Sequence, residues 1–81
     1  MPLIDLPLHA AELEVGAAIR RSLKHYPRPF NDAQEAYCVM LEQLDQLWNE
    51  IKDGKDTAKM RAKACEVAAM ALRFMLDVTN A

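Results

Sequence analysis

Three carboxylates offer the chain's most distinctive chemistry: Glu42, Asp45 and Glu66. Glu42 and Asp45 stand three residues apart, so a helix projects them from one face about a turn apart. Glu66 faces outward from a later segment with helical periodicity of its own. Carboxylates from two antiparallel helices can hold Mg²⁺, a hard cation that takes oxygen ligands and keeps waters for substrate phosphates. The plainer reading of the same residues is a solvated face whose acids pair with neighbours such as Lys63 or Arg73. Other site chemistries find less support. No CxxC pair exists, and His9 and His25 are not at metal-ligand spacing. Glycines only at positions 16 and 54 leave no Gly-rich phosphate loop. Cys38 and Cys65 read as reduced, buried thiols on different helices.

The element that must position Glu42 and Asp45 is the stretch from Asn31 to Lys52. Asn31 can cap it, with Gln34 three residues later reaching back as a capping box. Ala33, Tyr37, Met40, Leu44, Leu47 and Ile51 then recur four and three apart, which draws one apolar stripe along a helix. Ala36, Leu41 and Trp48 widen it, so Trp48 is expected to be mostly buried against the first helix or a neighbouring chain. The opposite face carries Glu35, Glu42, Asp45, Gln46, Asn49, Glu50 and Asp53. Cys38 and Val39 interrupt that acidic face, a hint that another element covers part of it.

Residues 1–7 read as an extended lead-in, because Pro2 and Pro7 disfavour helix in the residues before them. Leu8, Ala11, Val15, Ala18, Ile19 and Ser22 give a first helix over about 8–26, with Gly16 marking a close helix contact. Pro27 and Pro29 stop it. The second helix ends at Asp53-Gly54, and Asp56 or Thr57 caps a third that runs to about Val78 or Thr79. Its stripe is Met60, Ala64, Val67, Ala71, Phe74 and Val78, flanked by Cys65, Ala68, Leu72, Met75 and Leu76. Lys59, Lys63, Glu66, Arg73 and Asp77 form its polar ribbon. A helix apolar over most of its circumference is buried on more than one side. The fold expected is therefore all-α and single-domain over residues 1–81. Helices two and three form an antiparallel hairpin, and two hairpins make a four-helix core in a homodimer, or a tetramer as a dimer of dimers.

Composition narrows the functional classes. The chain has 81 residues, of which 52% are hydrophobic, with a formal net charge of −2. So short a chain buries only about 60–65% of its unfolded surface, which again favours oligomerisation. Lys and Arg are scattered singly, so no basic patch recommends nucleic acid. The apolar run Val67–Leu72 is too short to span a membrane, and the N-terminus lacks the features of a secretory signal. A cytoplasmic location is the expectation.

The segment 31–79 resembles the MazG-like, all-α nucleoside triphosphate pyrophosphohydrolases, whose hallmark is EExxE on one helix and ExxD on the next. Here Glu42-Gln43-Leu44-Asp45-Gln46 stands at the first motif and Glu66-Val67-Ala68-Ala69 at the second. The DG turn and the alanine-rich third helix match as well. Glu42 and Glu66 keep family acids, whereas Gln43, Gln46 and Ala69 replace three others. A Gln carbonyl binds a divalent cation far less well than a carboxylate does. The resemblance implies Mg²⁺-dependent cleavage of a nucleoside triphosphate to monophosphate and pyrophosphate. It also implies Glu42 and Glu66 as metal ligands, with Asp45 as a substitute third. The alternative is a non-catalytic helical oligomer that serves as a protein-interaction or nucleotide-binding module.

Overall fold

The computed structural model describes residues 5–80, and all of its regular structure is helical: α1 (Asp5–His25), α2 (Ala33–Asp53) and α3 (Thr57–Phe74), the last continued by a π-helical turn, Met75–Thr79. The first four residues of the expected lead-in lie outside the described chain. Its remainder, residues 5–7, is helical instead. Pro7 is tolerated there because N–H groups in a first turn have no intrahelical acceptor, and Asp5 suits the positive end of the helix dipole.

The caps follow the residue chemistry with one shift of register. Asp32, not Asn31, is the N-cap of α2, accepting from the Glu35 N–H at 2.8 Å. The charged oxygen complements the helix dipole better than an amide does. Asn31 donates from its side chain to the Glu35 carboxylate at 2.7 Å, so the reciprocal contact falls at position 35 rather than at Gln34. Gly54 closes α2 in the left-handed region at φ 67°, its N–H bonded to the Glu50 carbonyl at 3.1 Å. Asp56 then caps α3 through the Ala58 and Lys59 amides.

The third helix is the central element, packing against α1 on one side and α2 on another. The core is small. Ala18 from α1 meets Ala69 and Met70 from α3, and Ile19, Phe30, Val39, Met40 and Cys65 pack around them. Alanines at the contact let helix backbones approach closely, but they bury little area. Gly16 does not take part: a Cβ there would meet the side chain of Arg20 in its own helix, 3.1 Å away, and no neighbouring helix.

The chain spreads rather than closing on itself. Its principal extents are 38 × 35 × 19 Å, and its radius of gyration is 13.9 Å, against about 11.7 Å for a compact domain of this length. It exposes 6214 Å², more than about 1,000 Å² beyond what a compact monomer of 9.2 kDa shows.

The excess is concentrated on α2. Tyr37, Leu41, Leu44, Trp48 and Ile51, spaced four, three, four and three, are all exposed. Trp48 is 56% exposed, with the Lys52 ammonium 6.0 Å from its ring, so the expected burial does not occur within the single chain. The side of α2 that turns inward is the one bearing Ala36, Met40, Gln43 and Leu47. At 100° per residue it lies roughly a third of a turn from the exposed stripe. Val39, out of place on a wet acidic face, is thus explained: it packs against the core. Cys38 does not follow it and is exposed, whereas Cys65 is half-buried; both thiols are free. Leu72, Met75 and Leu76 of the α3 end are likewise uncovered.

Candidate functional site

One concavity of the chain is organised around an arginine. Arg73 emerges from an apolar stretch of α3 and is 2% exposed, the reverse of its expected place in the polar ribbon. Its guanidinium uses every donor it has. Nε donates to Asp77 Oδ2 at 3.0 Å; Nη1 donates to the Ser22 carbonyl and hydroxyl at 3.2 and 2.9 Å. The second amino group, Nη2, donates to the carbonyls of Tyr26 and Arg28, the latter at 2.7 Å. The Phe30 ring stacks 5.2 Å from the guanidinium carbon. The Ser22 carbonyl also accepts the Tyr26 N–H at 2.8 Å, whereas the Tyr26 and Arg28 carbonyls lie past the helix end, where Pro27 and Pro29 remove N–H groups from the linker. Arg73 supplies donors to those two carbonyls. Asp77 completes the arrangement by accepting the Phe30 N–H at 3.2 Å.

Beside this anchor a cleft of about 700 Å³ opens between the C-terminal half of α1, the 26–30 linker, the first half of α2, and α3. The size suits a small ligand. Glu42 and Glu66, from different helices, both line it, together with Glu35 and Gln43. Asp45 is not on its wall. Glu35 belongs to this face because it stands seven residues, two turns, before Glu42, and that spacing is its signal in the sequence. Arg21 and Arg28 share the same walls.

The donors needed for a divalent cation are not assembled. Among the described residues no three His, Cys, Asp or Glu side chains lie close enough together to hold one. Glu66 faces Arg21, whose guanidinium stands 3.6 Å from its carboxylate. Gln46, at a position where the resemblance expects an acid, accepts a hydrogen bond from Lys63 Nζ at 2.8 Å. The half-buried Cys65 is no better placed as a nucleophile. Burial first, and the Glu66 and Glu14 carboxylates after it, push its thiol above the ordinary range, so the unreactive protonated form dominates at neutral pH. Further along the α1–α3 contact, Arg61 clamps Glu14 of α1 through contacts of 2.9–3.1 Å. That hydrogen bond lowers the Glu14 carboxyl and raises the guanidinium.

No protein-family description, curated protein or solved structure matches the chain. No helix among the described residues is long and apolar enough to cross a membrane.

Proposed function

We propose that this protein is a non-catalytic helical interaction module that works as a homo-oligomer. In this reading two antiparallel α2–α3 hairpins make the four-helix core of a dimer. The observation that carries it is the exposed stripe Tyr37, Leu41, Leu44, Trp48 and Ile51. Alternating steps of four and three are the spacing with which one helix presents a continuous seam to another. The surplus surface of the single chain exceeds the roughly 800 Å² per partner that a standard interface buries. A second copy carries the same stripe, so a two-fold pairing covers both at once. Light scattering at micromolar concentration should give a multiple of 9.2 kDa. Leu44→Asp should shift the protein to monomer while α1–α3 stay helical by circular dichroism. A monomeric natural protein refutes the reading.

A second reading keeps the catalytic meaning of the resemblance, and the placement of Glu42 and Glu66 on one cleft favours it. The protein would then be a MazG-like relative that takes a nucleoside triphosphate in that cleft and cleaves it to monophosphate and pyrophosphate with Mg²⁺. The side chains present do not fit a bound Mg²⁺, since Gln46 and Glu66 already face Lys63 and Arg21. Glu42, Asp45 and Glu66 remain the residues to test. Mg²⁺-dependent nucleotide turnover that disappears in Glu42→Gln and Glu66→Gln, with the fold intact, would establish the enzyme over the module.

A further inference from the structure

We propose that Lys63 is a built-in cation that takes the place of a divalent metal between α2 and α3, so the chain is closed to Mg²⁺ by its own side chain. The placement starts from Gln46. Its side-chain oxygen, which on the family pattern would turn towards a metal, accepts the Lys63 ammonium at 2.8 Å in a half-buried contact. Gln46 lies one helical turn beyond Glu42 and Gln43 on α2, and Lys63 lies one turn before Glu66 on α3, so the contact joins the two helix faces that carry those positions. Glu66 in turn faces the Arg21 guanidinium. That second contact is long and partly exposed, and it adds little strength by itself. It does leave the carboxylate with a cation of this chain's own.

The electrostatics decide the outcome. A fixed positive charge beside the position of a dication repels it, and the repulsion is screened less in a half-buried site than in water. A metal could enter only by expelling Lys63. The exchange is unfavourable because the neutral Gln46 oxygen and the missing acids at 43 and 69 offer the metal little in return. A Gln at 46 is also suited to a permanent ammonium partner: it satisfies one of its three donors without adding charge. This inference rests on the resemblance of residues 42–46 and 66 to the family motifs and does not depend on self-association.

The probe is Mg²⁺ alone, followed by calorimetry and by the side-chain amide signal of Gln46 in heteronuclear NMR. In the natural protein millimolar Mg²⁺ should leave that signal and the thermal midpoint unmoved. The variant Q43E/Q46E/A69D, which restores the acids but keeps Lys63, should bind Mg²⁺ at least about tenfold more weakly than the same variant carrying Lys63→Met. Mg²⁺ binding at Gln46 of the natural protein, or equal affinity with and without Lys63, would overturn the proposal. The measurement on the natural chain stands even where a multiple variant does not fold. Oligomeric state, read separately by light scattering, does not affect the comparison.

Discussion

Replacing Arg73 by Ala should be the most damaging single substitution outside the packed alanines. The change removes five donated hydrogen bonds and the partner of the nearly buried Asp77, whose side chain is 10% exposed. Breaking a buried ion pair from one side typically costs about 3–5 kcal/mol, since the remaining charge stays desolvated. Water can reach the carbonyls of the exposed residues Tyr26 and Arg28 once the arginine is gone, so the full sum of five bonds does not apply. We expect about 3–5 kcal/mol for Arg73→Ala. Against the roughly 4–12 kcal/mol available to a chain of this length, that is a quarter or more of the total. Arg73→Lys keeps a charge but offers three donors without the planar fork, and about 1–3 kcal/mol should be lost. Urea unfolding followed by circular dichroism, at fixed protein concentration because assembly shifts apparent stability, measures both. Hydrogen exchange at the Phe30 amide, which Asp77 holds, should accelerate in step. Arg73→Ala within about 0.5 kcal/mol of the natural protein, with Phe30 still protected, would refute the idea that the guanidinium fixes the linker.

Two further substitutions test local elements. Gly54→Ala should destabilise by about 1 kcal/mol, because φ 67° strains any side chain even though the added Cβ would find ordinary contacts no nearer than 3.6 Å; thermal unfolding checks it. Glu14→Gln should matter only above the acid range. The Arg61 bond depresses the Glu14 carboxyl below its ordinary 4.5, so its stabilisation is complete above that value and is lost as pH falls through the lower, folded-state value. The natural protein and the variant should therefore converge in stability as the pH falls through the lowered Glu14 value, and acid titration of the unfolding midpoint would show any failure to converge.

The helices were legible in the sequence because their punctuation is local. Gly54 and Asp56 act through their own backbone neighbours, and the spacing of apolar residues set the periods of α2 and α3. Which side of each helix turns inward was not legible. The richest stripe of α2 was expected to face the core, yet α3 meets a neighbouring side bearing Ala36 and Gln43, where small or mixed residues permit close contact. Arg73 was misplaced for a related reason. A charge in an apolar run looks like the edge of a solvent-facing ribbon unless its acceptors are known, and these are carbonyls in the last turn of α1 and in the linker after it, 45–51 residues earlier. Asp77, one turn beyond, was the sequence clue. The spacing of the acids placed Glu42 and Glu66 on α2 and α3. The partnership of Gln46 with Lys63 depends on helix rotation, which spacing alone does not determine.

Arg73 grips the 26–30 segment by main-chain oxygens, leaving the side chains of Tyr26 and Arg28 out of the bargain. The path of that connection is thus written at a position far along the chain rather than in its own residues. Substitutions at Tyr26 or Arg28 should be absorbed with little loss, and the segment offers a place to install new side chains along the cleft's rim. Position 73 has no such freedom. A sequence that keeps its Pro27 and Pro29 but loses this arginine should hold the three helices and lose the cleft.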